Sequence, residues 1–140
     1  MKFYVAAKWQ LKDEVREIYR KIKETGHEVT EDWTKHPPAK PYDKNKDLSR
    51  KLSNIDMNAV KNSDIFVILT NEDGVGMYIE FGGAIMSKII KGKPQIYVIG
   101  KKLGRSMFFF HPAVKRRRTI EDVFEDLRIK RCFLNYLEHK

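Results

Sequence analysis

The alternation of strand-like and helix-like segments predicts an α/β domain, a three-layer sandwich around a five-stranded parallel sheet in the order 2-1-3-4-5. Three observations predict it. Short runs at Phe3 to Ala7, Asp64 to Leu69 and Gln95 to Ile99 have the length and apolar content of buried strands. The longer stretches between them repeat apolar residues at spacings of three and four, the period of an amphipathic helix. Two of those stretches close on Gly26 and on Gly92-Lys93-Pro94, which are helix stops. Strands separated by helices run parallel, with right-handed crossovers and helices on both faces.

Each element follows in order. Phe3 to Ala7 is the first strand. Gln10 to Thr25 carries Leu11, Val15, Ile18, Tyr19 and Ile22 on one stripe and reads as a helix. His27 to Trp33 is a weaker, alternating strand. Thr34 to Lys46 holds three prolines and several lysines and reads as an exposed loop, of the kind that serves as a lid or binding segment. Leu48 to Asn62 places Leu48, Leu52, Ile55, Ala59 and Val60 on a helical face. Asp64 to Leu69 is the third strand, Gly76 or Met77 to Ile90 the next helix, and Gln95 to Ile99 the fourth strand. Met107 to Phe110 reads as a fifth strand ended by His111-Pro112, and the basic run Lys115 to Arg118 as a solvated loop. Thr119 with Asp122 three residues on makes a helix cap, and Ile120 to about Glu138 reads as the last helix.

The 140 residues suffice for one domain with a real core, and an apolar content of 41% fits a globular chain. No run approaches the ~18 consecutive apolar residues of a membrane span. The first strand begins at once, so no cleavable signal is expected. Cys132 is the only cysteine, which points to a reducing, cytoplasmic setting and to packing rather than nucleophilic duty. A net charge of +9 favours anionic partners such as nucleotides. Charged residues reach 34%, and Lys and Glu on helix faces resemble the make-up of heat-tolerant proteins.

In the stretch Asp73 to Ala84, DGVGMYIEFGGA, one acid follows the opening Asp73, set amid glycine, apolar and aromatic residues: Glu80. It opens a helix just beyond the third strand, where open α/β sheets bind ligands. Two other polar residues converge on the same sheet edge. Tyr4 lies in the first strand, and Asp56 stands eight residues before the third. Strands one and three are expected to be neighbours there. Taken alone, Glu80 also fits a solvated helix glutamate, Asp56 a polar-face residue and Tyr4 a core aromatic.

FYVAAKW at Phe3 to Trp9, NIDMNAVKNSDIFVIL at Asn54 to Leu69 and GMYIEFGGAIMSKIIKGKPQIYVIG at Gly76 to Gly100 resemble the nucleoside 2-deoxyribosyltransferase family, which includes the 2′-deoxynucleoside 5′-phosphate N-hydrolases. The resemblance covers roughly the first 110 residues and implies a flavodoxin-like (Rossmann-like) fold. It implies cleavage or transfer at the N-glycosidic bond of (deoxy)nucleosides or their 5′-monophosphates, with hydrolase and transferase both open. Glu80 matches the nucleophile, Asp56 the acid that binds sugar hydroxyls and aids proton transfer to the base, and Tyr4 the tyrosine that orients the nucleophile. The chemistry fits, because positive charge building on the sugar is met by one carboxylate while a second carboxyl protonates the leaving base.

Around these, Lys8, Trp9, Asn71, Asp73, Gly74 and Gly76 are the expected substrate-binding residues. Lys8 follows the strand beside which the N-hydrolases hold a 5′-phosphate, and it equally fits a salt-bridged surface lysine. Asp73 lies near a second family aspartate and also fits a turn before glycine. Trp9 and Trp33 read as packing residues with a smaller claim to stacking on a base. Ser87 and Ser106 are minor phosphate or interface candidates. His36 and His111 lack metal-site spacing, so no metal is expected, and neither GVG nor GKP is a nucleotide fingerprint, so no cofactor is. The expected partners are a small-molecule nucleoside or nucleotide and further copies of the chain, as a dimer or higher oligomer, with no membrane and no nucleic acid. Phe133, Leu134, Tyr136 and Leu137 are core or interface residues on this reading. The family's C-terminal segment has no counterpart here. A different class of protein stays open, a nucleotide or nucleic-acid binding module that keeps the fold without turnover.

Overall fold

The computed structural model describes residues 1–71 and 73–130. The elements are β1 (Lys2–Ala6), α1 (Lys12–Glu24), β2 (Glu28–Val29), α2 (Lys46–Asn62), β3 (Ile65–Leu69), α3 (Gly76–Lys91), β4 (Gln95–Ile99), β5 (Val114–Arg117) and α4 (Ile120–Asp126). All strand pairs are parallel and the order is β2-β1-β3-β4-β5, as expected from the sequence. No described helix is long and apolar enough to cross a membrane.

Side-chain alternation along β1 assigns the layers. Phe3 meets Phe124 of α4 edge-on at 6.2 Å, so it points to the face that holds α1 and α4. Those two helices are joined by a Lys21–Glu121 ion pair. Tyr4 points the opposite way. It stacks on Phe66 of β3, its register partner, and Phe66 stacks on Phe81 of α3. Tyr4 therefore faces the layer where α2 and α3 pack together. A Cβ on Gly83 of α3 would meet the Met57 methyl of α2 at 2.7 Å, so the missing side chain lets these helices approach closely.

The chain leaves β1 outward to β2 and returns on the other side as β3, which puts the switch point between β1 and β3. β2 is only two residues long, shorter than the His27 to Trp33 strand expected from the sequence. Beyond it, the backbone of Val5 has no strand to pair with on that side. Side chains take over. The Tyr19 hydroxyl accepts from the Val5 N–H at 3.3 Å, and Trp33 Nε1 donates to the Val5 carbonyl at 2.6 Å. Trp33 is bent into a short 3₁₀ turn, Trp33–Lys35, because its indole is spent on this bond and on the core.

Two expectations toward the C-terminus are overturned. Met107–Phe110 is a 3₁₀ turn capped by Ser106, not a strand. Only Phe109 of the four is buried, so the run lacks the period-two burial a strand needs. The fifth strand is instead the basic Val114–Arg117 segment, expected to be a loop. It lies at the sheet edge, where charged residues discourage pairing with other chains. Its cations are absorbed locally: Lys115 and Arg117 lie over the Tyr97 ring and pair with Asp126 at 3.5 and 3.1 Å. The helix that opens at Ile120 closes at Asp126, followed by Arg128 at φ 56, so the expected continuous helix is interrupted there; its stretch beyond Lys130 lies outside the described residues. Cys132, Phe133, Leu134, Tyr136 and Leu137 lie outside the described residues.

Candidate active site

Three elements of the fold bring one polar side chain each to the switch point. Tyr4 comes from β1 and is fully buried, Asp56 from the middle of α2, and Glu80 from the second turn of α3. Among the described residues, three buried side-chain polar atoms have no hydrogen-bond partner: Tyr4 Oη, Asp56 Oδ1 and Glu80 Oε2. Natural cores leave such atoms unpaired rarely and at a cost. Their coincidence on one crevice marks a site built for something else to complete.

Their proton affinities reflect this enclosure. Burial drives the Glu80 carboxyl up to about 8, the nearby Asp56 charge adds to the rise, and the Tyr4 hydroxyl works against it. Tyr4 sits close enough to act on Glu80, yet its hydroxyl completes no hydrogen bond of good geometry. Tyr4 itself is held well above the usual phenol range, first by burial and then by the Glu80 and Asp56 charges. Asp56 rises to about 6, again chiefly through burial, with His36 pulling it down and Glu31 pushing it up. Two carboxyls that influence each other titrate as a pair.

Asp56 and Glu80 open onto a cavity of about 750 Å³, within the range of small-molecule sites. Its walls come from α2, α3 and the segment linking β2 to α2. Trp9 and Trp33 form an aromatic end, with ring centroids 6.1 Å apart and planes tilted by 42°. Trp9 is 41% exposed, with Lys12 Nζ over its ring at 5.1 Å, whereas Trp33 is committed to packing. Lys40 and Arg50 are the cations among the lining residues, and Gly76 and Ile79 contribute the start of α3.

The expected binding residues divide. Trp9 and Gly76 line the cavity beside the catalytic candidates, while Lys8, Asn71, Asp73 and Gly74 do not. Lys8 is taken up by Asp73 at 2.8 Å, a tie between the loops that follow β1 and β3. Gly74 turns the second of these loops at φ 118, which a side chain would resist. Asn71 accepts through its carbonyl from the Tyr78 hydroxyl at 3.4 Å. Ser87 bonds the Lys93 carbonyl and Ser106 caps its turn, so both have local partners.

Sequence reasoning weighed His36 only as a metal ligand and gave it no place in the site. Its ring lines the cavity, with Nε2 2.9 Å from Glu31 Oε1 and Nδ1 3.8 Å from Asp56 Oδ1. The only sequence signal was a histidine at the start of the proline-rich loop. Among the described residues no group of His, Cys, Asp and Glu could hold a metal ion.

Fold and crevice together define an α/β domain with a buried tyrosine–dicarboxylate cluster at the switch point of a parallel sheet. Among solved structures the chain is similar to the CMP N-glycosidase BcmB of Clostridium botulinum, at 15% identity and a TM-score of 0.59, over 91% of this chain and 99% of that one. That likeness establishes a shared fold. No family model matches the chain, and no curated protein matches it.

Proposed function

We propose that this protein is an N-glycosidase of nucleotides, cleaving the bond between sugar and base through a covalent glycosyl-enzyme. One observation carries the reading. The three residues nominated from sequence own the three buried, unpartnered side-chain polar atoms found among the described residues, and two of them open onto one nucleotide-sized cavity. The fold shared with a CMP N-glycosidase supports it.

In the first step an oxygen of the Glu80 carboxylate attacks the anomeric carbon. The carbon–nitrogen bond breaks, its electrons stay on the base nitrogen, and a proton from Asp56 leaves with the base. In the second step water attacks the same carbon, the ester breaks, Glu80 departs as carboxylate and the water proton returns to Asp56. A second base in place of water gives transfer. Tyr4 steadies the Glu80 carboxylate between the steps.

Cleavage needs one proton and one negative charge on the two carboxyls. Affinities of about 6 and about 8 make that singly protonated pair the prevailing form near neutral pH. In the empty site the proton favours Glu80. Positive charge growing on the sugar favours the ionised nucleophile and moves the balance the other way.

The exposed indole of Trp9 suits the base, and Lys40 and Arg50, within a chain of net charge +9, suit a 5′-phosphate. The homo-oligomer belongs to the same proposal: Ile79, Met86 and Ile90 expose one apolar stripe of α3, and Ile79 continues it into the cavity wall. Incubation with nucleosides and their 5′-monophosphates, with and without a second base, tests the function. Free base from a monophosphate, lost in Glu80→Ala, is expected. Binding of nucleotide without any release or exchange of base would favour the non-catalytic module instead.

A further inference from the structure

We propose that His36, clamped by Glu31, is a positioning residue that faces the Asp56 carboxyl at the cavity wall and sets, through its charge, when that carboxyl carries a proton. The inference deepens the N-glycosidase reading and rests on it for its catalytic meaning. Its electrostatic content stands on the geometry alone.

The geometry forms a chain from the sheet to the site. The Tyr19 hydroxyl, which accepts from Val5 of β1, lies 3.2 Å from the Glu31 carbonyl and fixes that backbone against the sheet. The Glu31 side chain meets His36 Nε2 at 2.9 Å, which orients the ring. The other ring nitrogen then points at Asp56 Oδ1 across 3.8 Å, too far for a hydrogen bond and near enough for strong charge coupling. The first turn of this segment is fastened independently. Arg16 of α1 holds Thr34 by its hydroxyl at 3.2 Å and its carbonyl at 3.0 Å. His36 is thus a fixed group on an anchored turn, with only 13% of its side chain exposed.

The titratable groups coupled to Asp56 are His36 and Glu31 of the β2–α2 segment, Glu80 of α3, Tyr4 of β1 and Tyr19 of α1. A cationic His36 favours the Asp56 carboxylate. Glu31 opposes it directly through space and also holds the ring in place. An acid that must give up a proton and take one back gains from such opposed neighbours, because neither form is trapped. A neutral packing histidine would have neither effect.

The test is a ¹³C-carboxyl NMR titration of Asp56 in the full chain, in the parent, His36→Gln and Glu31→Gln, beside the pH profile of base release. Loss of His36 is expected to move the Asp56 midpoint up by about one pH unit, and loss of Glu31 to move it down by a smaller step. The corresponding limb of the kcat/KM profile follows in each case. Midpoints that stay put in both variants, or move in the same direction, overturn the proposal. Should His36→Gln fail to fold, the downward shift in Glu31→Gln decides alone. Shifted midpoints in a protein that releases no base would uphold the coupling and refute the N-glycosidase reading instead.

Discussion

Replacing Glu80 by Gln removes the ionisation of a buried carboxyl while keeping its shape, and the consequence for stability has a definite sign. In the native protein the group holds its proton up to about 8, whereas the ordinary value is 4.5. Between those values the folded state carries a proton that the unfolded chain has released. Stability is therefore fullest at the acid end and is lost as pH rises through the window. At about 1.4 kcal/mol per tenfold change in proton concentration, the full window sets an upper limit of ~5 kcal/mol. Water entering the open cavity and small side-chain adjustments reduce this, and ~2–3 kcal/mol is the expected gain for Glu80→Gln at pH 8.5. For a chain of this size that amounts to a rise in melting temperature of roughly 6–12 °C. Urea and thermal unfolding of parent and variant at pH 5 and pH 8.5 measure it. The variant is expected to match the parent closely at pH 5 and to exceed it at pH 8.5. An equal difference at both pH values, or a less stable variant at the higher one, would refute the claim that burial holds this carboxyl protonated.

Other outcomes follow from the same crevice. Tyr4→Phe deletes a hydroxyl without a partner, so unfolding free energy is expected to stay within ~1 kcal/mol of the parent while kcat falls at least about tenfold. The rate of base release is expected to peak between limbs near 6 and 8 that belong to the Asp56–Glu80 pair; a flat profile over that range would contradict their role. Trp33→Phe removes the 2.6 Å bond to the Val5 carbonyl and is expected to cost ~1–3 kcal/mol in urea unfolding.

Much of this architecture could be read from residues alone where burial and period agree. β1, β3 and β4 are continuous apolar runs because central parallel strands are covered on both faces. Tyr4 and Glu80 stood out as polar groups in those surroundings, and the crevice brings both beside Asp56. The edges were harder. β5 reads as a loop because its cations are stabilised by Tyr97 and Asp126, contacts that arise only after folding. Met107–Phe110 has strand composition, yet one buried phenylalanine and a serine cap make it a turn. His36 lies in a segment with no periodicity. Its meaning depends on Glu31 five residues away and on Asp56 in another element, and linear spacing does not encode the second relation.

The abrupt end of β2 has a consequence for how such a crevice can diversify. A strand continued along β1 would have closed this side with fixed backbone bonds, and any change there would have disturbed the sheet. Tyr19 and Trp33 serve Val5 instead, so the wall beside Tyr4 is made of side chains rather than of a strand. Past its anchored first turn, the segment that follows can change in length, charge and contour without touching strand order, while Tyr4, Asp56 and Glu80 stay on β1, α2 and α3.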